Sequence, residues 1–131
     1  MNVHSLWLAV AGIVGALAVI IGAFGAHGLE GRVSPDSLDT FEIGVRYHMY
    51  HALALLAVTL AAKRSELRRW ARRACALWVA GIVVFSGSLY ALVLTGAKWF
   101  GAITPIGGVA LIAGWLCIAL AALAQSEPSP E

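Results

Sequence analysis

The chain has 131 residues, of which 60% are hydrophobic and only 12% charged, and its mean hydropathy is +0.83. Because soluble domains carry about one-quarter charged residues, this composition excludes an ordinary soluble protein and indicates a membrane protein. The formal net charge of +2 is small. The sequence contains no P-loop, dinucleotide-binding fingerprint or nucleophile motif, so it predicts no enzymatic activity.

Apolar stretches of about 20 residues predict membrane-spanning helices. The first, at residues 5–26, lacks a preceding Lys or Arg and is too long for a cleaved signal peptide, so we interpret it as a retained helix. The second, at 43–62, reaches spanning length only by including polar residues at one end. The third and fourth lie at 74–96 and 105–124. The polar tail at 125–131 contains proline and is predicted to be disordered.

Basic residues are concentrated between the second and third spans. Six of the nine lie there, namely Lys63, Arg64, Arg68, Arg69, Arg72 and Arg73. Cytoplasmic loops collect Lys and Arg, so in a short loop this pattern favours a topology signal over a nucleic-acid-binding patch. With the loop inside the cell, four spans place both termini in the cytoplasm. The predicted fold is all-α: one domain over residues 1–124 with four transmembrane helices in an up-down bundle.

Two prolines predict where helices begin. Ser34 and Pro35 are typical of an N-cap followed by a first helical residue, which starts the second helix. Thr104 and Pro105 predict the same for the fourth helix, since proline at this position loses no helical hydrogen bond. From residue 35 to 62 the second helix would be about 42 Å long, against a hydrocarbon core of roughly 30 Å. Its first turns should therefore lie in or above the outer headgroups.

The second helix is predicted to have two polar faces. At about 100° per residue, Tyr47, His48 and His51 share one face, whereas Glu42 and Arg46 lie on the other. Glu42 precedes Arg46 by four residues, the favourable order for an ion pair. An arginine that snorkels to the headgroups is the alternative interpretation.

Polar groups from all four helices are expected in the outer half of the bundle. By the predicted topology, His27 ends the first helix, Tyr90 lies in the outer part of the third, and Thr104 starts the fourth. Together with Tyr47 and His51 they form a candidate site for an ion, a small ligand, or a lipid or quinone headgroup.

The histidines have two competing interpretations. His27, His48 and His51 could supply three nitrogens to zinc, but no metal-ligand motif or nearby cysteine accompanies them, and the later spans offer no axial histidine for a haem. We therefore predict no metal and no cofactor. The alternative is that the histidines bond to tyrosine hydroxyls and backbone carbonyls, and so stabilise helix packing.

Four motifs, in order along nearly the whole chain, resemble the domain of unknown function 423 family (DUF423). They are GAFGAHGL (22–29), RYHMYHALALL (46–56), FSGSLYALVLTG (85–96) and GAITPIGGVALIAGW (101–115). The residues that match these motifs are Gly25, His27, Gly28, Tyr47, Tyr50, His51, Ala52, Ser86, Gly87, Tyr90, Gly101, Thr104, Pro105, Gly107 and Gly108. The resemblance implies a four-helix protein of the bacterial inner membrane, similar to the transmembrane protein 256 group of eukaryotes. It implies no activity, because the family is itself defined as uncharacterised.

The expected function is that of a non-enzymatic accessory or scaffolding subunit, or of a small oligomer. Its partners would be the lipid bilayer and either further copies of the chain or a larger membrane complex, and not nucleic acid. The alternative is a binding or transport protein that uses the polar pocket in the outer half of the bundle. A membrane-embedded metalloenzyme is the third and least supported hypothesis.

Overall fold

The computed structural model describes residues 3–62 and 65–124, and four long helices account for most of them. They are α1 Val3–Phe24, α2 Pro35–Ala61, α3 Ser65–Thr95 and α4 Trp99–Ala124. The all-α prediction is confirmed over these residues. The predicted disordered tail, together with Lys63 and Arg64, lies outside them.

Three helices are long and apolar enough to cross a membrane, over Val3–Leu29, Leu67–Thr95 and Trp99–Ala124. Within the described residues α2 is not a clear span, because charged side chains continue along it as far as Arg46. Three of the four predicted spans are thus confirmed as candidate membrane helices.

The second helix begins as predicted. The Ser34 hydroxyl accepts a hydrogen bond from the backbone N–H of Ser37 at 3.2 Å, and Pro35 is the first helical residue. This side-chain cap satisfies one of the N–H groups that the first turn leaves free.

The predicted start of the fourth helix is wrong. The helix α4 begins at Trp99, so Thr104 is not its N-cap and Pro105 lies inside the helix. Gly96 has a positive φ of 71° and ends α3, which lets the chain reverse within a few residues. The helical turns from Trp99 to Pro105 are stabilised by the packing of α4 along α3. This packing offsets the free-energy cost of a proline inside a helix.

Two further boundaries differ from the prediction. The arginines at 68–73, which were predicted to lie in a loop, belong to the first turns of α3, because arginine is a good helix former and the loop needs few residues. The helix α1 continues into a π-helical turn, Gly25–Leu29, in which Gly25 lies against the ring of Phe41.

The helices pack mainly in chain order. The principal contacts join α1 to α2, α2 to α3, and α3 to α4, and among the described residues α1 and α4 make few or no contacts with each other. The apolar core lies around α3, where Trp78 packs with Leu55 and Leu111. Glycines bring α3 and α4 close together: Gly107 lies against the backbone of Phe85, and Gly114 against the ring of Trp78.

Candidate functional site

The two faces of α2 differ in burial as the helical period predicts. His48 and His51 are buried, whereas Glu42 and Arg46 on the opposite face are exposed. Tyr47, which the helical period places on the face of the two histidines, is exposed over 43% of its surface, so the buried side of α2 does not include all of that predicted face. The ion pair between Glu42 and Arg46 stays a prediction.

His51 uses both of its ring nitrogens in hydrogen bonds. Its Nδ1 lies 2.7 Å from the carbonyl oxygen of Tyr47, and its Nε2 lies 3.1 Å from Nε1 of Trp115 on α4. An indole N–H can only donate, so Nε2 accepts and Nδ1 carries the proton that it donates to the carbonyl. His51 therefore cannot act as a base or a metal ligand unless one of these bonds breaks.

Two tryptophans complete an aromatic layer around His51. The ring centroids of Trp78 and Trp115 are 4.9 Å apart, and the imidazole of His51 lies 6.2 Å from Trp78 and 6.1 Å from Trp115. Trp78 donates its indole N–H to the carbonyl of Leu111 at 3.2 Å. Sixteen residues separate Trp115 from the start of α4, about 24 Å along the helix, so this layer lies past the midpoint of α4.

His48 forms a second connection between helices, one turn closer to the start of α2. Its Nδ1 lies 3.1 Å from the hydroxyl of Tyr90 on α3, and its ring interacts with the backbone of Val14 on α1. The Tyr90 ring packs on Phe41 with a centroid distance of 4.8 Å. One histidine side chain thus links three helices.

Hydroxyl groups make further helix-to-helix contacts. Ser86 donates to the carbonyl of Gly44 at 2.8 Å, which joins α3 to α2. The hydroxyls of Ser88 and Thr104 are 2.7 Å apart and join α3 to α4, and Thr104 also donates to the Phe100 carbonyl within its own helix at 3.1 Å.

The five predicted site residues differ in their surroundings and in their hydrogen-bond partners. His27 is exposed on the π-helical turn. Tyr47 bonds to His51 through its carbonyl, Tyr90 bonds to His48, and Thr104 pairs with Ser88. In residues 3–62 and 65–124, no three His, Cys, Asp or Glu side chains are grouped closely enough to hold a metal ion. A ligand-binding role for the five residues stays a prediction.

Sequence reasoning missed the partner of His51. Trp115 is the residue whose indole N–H reaches the imidazole. The signal that points to it is chemical: a tryptophan in an apolar stretch carries an N–H that needs an acceptor where no water is present. Trp78 gives the same signal.

Comparison with known proteins identifies relatives in several bacteria. The family described as "Protein of unknown function (DUF423)" matches residues 21–108 of the chain. The UPF0382 membrane protein YwdK of Bacillus subtilis is 50% identical over 107 residues, which cover 82% of this chain and 87% of that protein. A UPF0382 membrane protein of Haemophilus influenzae is 39% identical over 113 residues, covering 86% and 90% respectively. No solved structure matches the chain.

Proposed function

The chain belongs to the DUF423 family, whose named relatives are bacterial membrane proteins, and on that premise we propose that it is an accessory or scaffolding subunit of the inner membrane. In this proposal the protein has four spans, has both termini in the cytoplasm, and catalyses no reaction. Its role is to bind other membrane helices, which belong either to further copies of the chain or to a larger membrane complex.

The main evidence for this proposal is that one face of α2 is exposed. Arg46 is exposed there, and Tyr50 and Leu53 expose 55% and 56% of their surfaces. If α2 spans the bilayer, this face looks outward. An arginine near the middle of a membrane helix costs about 3 kcal/mol on insertion scales and less near the interface. A partner helix with acceptors for Arg46 and Tyr50 would remove much of that cost.

The hydrogen bonding of the interior supports a structural role. In the described part of the chain, every buried side-chain nitrogen or oxygen has a hydrogen-bond partner. The outer-pocket alternative would require some of these bonds, such as that between His48 and Tyr90, to open before a ligand could bind. We therefore favour packing as the role of the polar side chains inside the helices.

Crosslinking inside living membranes tests the partner face. A photoreactive phenylalanine analogue at position 50 is compared with one at position 112 on α4, where Ile112 is 61% exposed and so at least as accessible as Tyr50. We expect position 50 to give a protein crosslink of defined mass, and position 112 to give lipid adducts only.

The companion substitution Arg46→Gln is expected to reduce the position 50 product about tenfold or more, since truncating one member of a desolvated polar pair costs 2–5 kcal/mol. Equal products from positions 50 and 112, or no protein product from position 50, would contradict the proposal. Native mass measurement then distinguishes a second copy from a different protein.

Reporter fusions test the topology. A reporter that is active only in the cytoplasm is expected to work at both termini, and one active only outside it is expected to work at Gly31 and at Lys98, the connections opposite the arginines of α3. Termini on opposite sides of the membrane would show that α2 does not cross it.

A further inference from the structure

A cavity of about 490 Å³ lies at the end of the molecule opposite the predicted outer connections. It is formed where the start of α1, the end of α2 and the start of α3 meet. Its lining includes His4, Trp7, Thr59, Arg68, Arg72 and Cys75. None of the five predicted site residues lines it, so this is a separate feature of the fold.

The cavity is positively charged on its α3 side. Arg68 and Arg72 are one helical turn apart, so both guanidinium groups project from the same face of α3. The stretch from residue 63 to 73 contains six basic residues and one acidic residue. The N-terminal end of the α3 helix dipole adds positive potential at the same end. These features favour an anionic ligand.

The geometry of the arginine side chains indicates which anion the cavity can bind, a phosphate or a similar oxyanion. The planar guanidinium presents paired N–H donors that match two oxygens of a phosphate group, and two arginines on one face can hold such a group between them. Thr59 and His4 line the same cavity, and both side chains carry a group that can donate a hydrogen bond.

The position of the cavity favours a membrane lipid over a free anion as the ligand. The candidate membrane helix Leu67–Thr95 has 29 residues, about 43 Å against a hydrocarbon core of roughly 30 Å, and four of its first seven residues are arginines. The end that bears Arg68 and Arg72 therefore lies among the headgroups. Trp7 of α1, a residue type enriched at the membrane interface, forms part of the lining.

We propose that this cavity binds the phosphate group of an anionic phospholipid between Arg68 and Arg72. The phosphate oxygens accept hydrogen bonds from both guanidinium groups, and the acyl chains remain in the bilayer beside Trp7. Assignment to the cytoplasmic leaflet rests on the proposed topology, whereas lipid binding by the purified protein does not depend on it.

Native mass spectrometry of the purified full chain in detergent tests the proposal. The protein is titrated with phosphatidylglycerol, with phosphatidylcholine of the same acyl chains, and with sodium phosphate. We expect one phosphatidylglycerol to bind more tightly than the other two probes. The double variant Arg68→Gln/Arg72→Gln is expected to bind it about 30-fold more weakly, the factor that two headgroup-level arginines supply.

The control Arg69→Gln/Arg73→Gln removes the same charge from the same turns of α3, and it should retain wild-type binding within about twofold. Equal losses in the two double variants would overturn the site, because they would report only general surface charge. Phosphate binding as tight as that of phosphatidylglycerol would overturn the lipid assignment, and equal binding of phosphatidylcholine would overturn the assignment to an anionic lipid.

A charge-conserving pair keeps the test valid if the glutamine variant fails to fold. Arg68→Lys/Arg72→Lys retains both positive charges but lacks the paired donors, so its affinity should fall between those of the wild type and the glutamine pair. Full wild-type affinity in the lysine pair would contradict the arginine–phosphate geometry.

Discussion

Replacing Gly107 by alanine is expected to make the protein about 2 kcal/mol less stable than replacing Gly108 by alanine, the cost of overpacking a tight contact. A Cβ at Gly107 would meet the backbone nitrogen of Phe85, and would lie 2.7 Å from its Cα. Backbone atoms cannot rotate away as a side chain can, so α3 and α4 must separate. At Gly108 the nearest atom is Cδ2 of the Phe85 ring at 3.7 Å, an ordinary contact.

The pair of variants isolates the steric effect. Both exchanges gain the same helix propensity, about 1 kcal/mol, and both add one methyl group to neighbouring residues of α4. The measurement is unfolding of the purified protein by denaturant in a fixed detergent, followed by the loss of helical circular dichroism. Equal stabilities of the two variants would show that α4 does not pack on α3 through Gly107.

The sequence predicts the helices better than it predicts their contacts. The number of long helices, the start of α2 at Ser34, and the burial of His48 and His51 all follow from local chemistry and the helical period. The same local reasoning failed at Pro105. The helix α4 begins six residues earlier, at Trp99, and packs along α3. No local pattern in the sequence records which face of a neighbouring helix lies opposite.

Small residues illustrate the same limit. Gly12 and Gly87 both occur in small-xxx-small spacings, which are typical of close helix contacts, yet a Cβ at either would meet nothing within 4 Å in the described structure. Gly107, which has no small residue four positions away, makes the closest approach to the α3 backbone, whereas Gly114, which does follow Ala110 at this spacing, lies against Trp78. The small-xxx-small spacing shows where two helices can approach closely. The shift and rotation of one helix relative to the other determine which of these positions are in contact.

The sequence predicts one part of the candidate site, the buried position of His51, but not the residue that His51 contacts. That His51 faces the interior follows from its position on α2. Its partner Trp115 lies 64 residues away, and the pairing depends on how far α4 is shifted along α2. The contacts of Tyr90 with His48 and of Thr104 with Ser88 also depend on how the helices pack, which a single sequence does not record.

Replacing His51 by leucine is expected to destabilise the protein by about 2 kcal/mol, mainly because it leaves the indole N–H of Trp115 without an acceptor. The carbonyl of Tyr47 loses its bond to the imidazole, but it remains within the backbone hydrogen bonding of α2. The loss should therefore arise chiefly at the contact between α2 and α4, and unfolding in detergent measures it.

A double-mutant cycle with Trp115→Phe separates this hydrogen bond from other effects of removing the imidazole. Phenylalanine has no N–H, so His51→Leu should cost about 1.5 kcal/mol less in the Trp115→Phe background than in the wild type. A coupling near zero would contradict the bond. A measured coupling would show that the imidazole is engaged by the protein itself, so a ligand at His51 would have to displace Trp115 before it could bind.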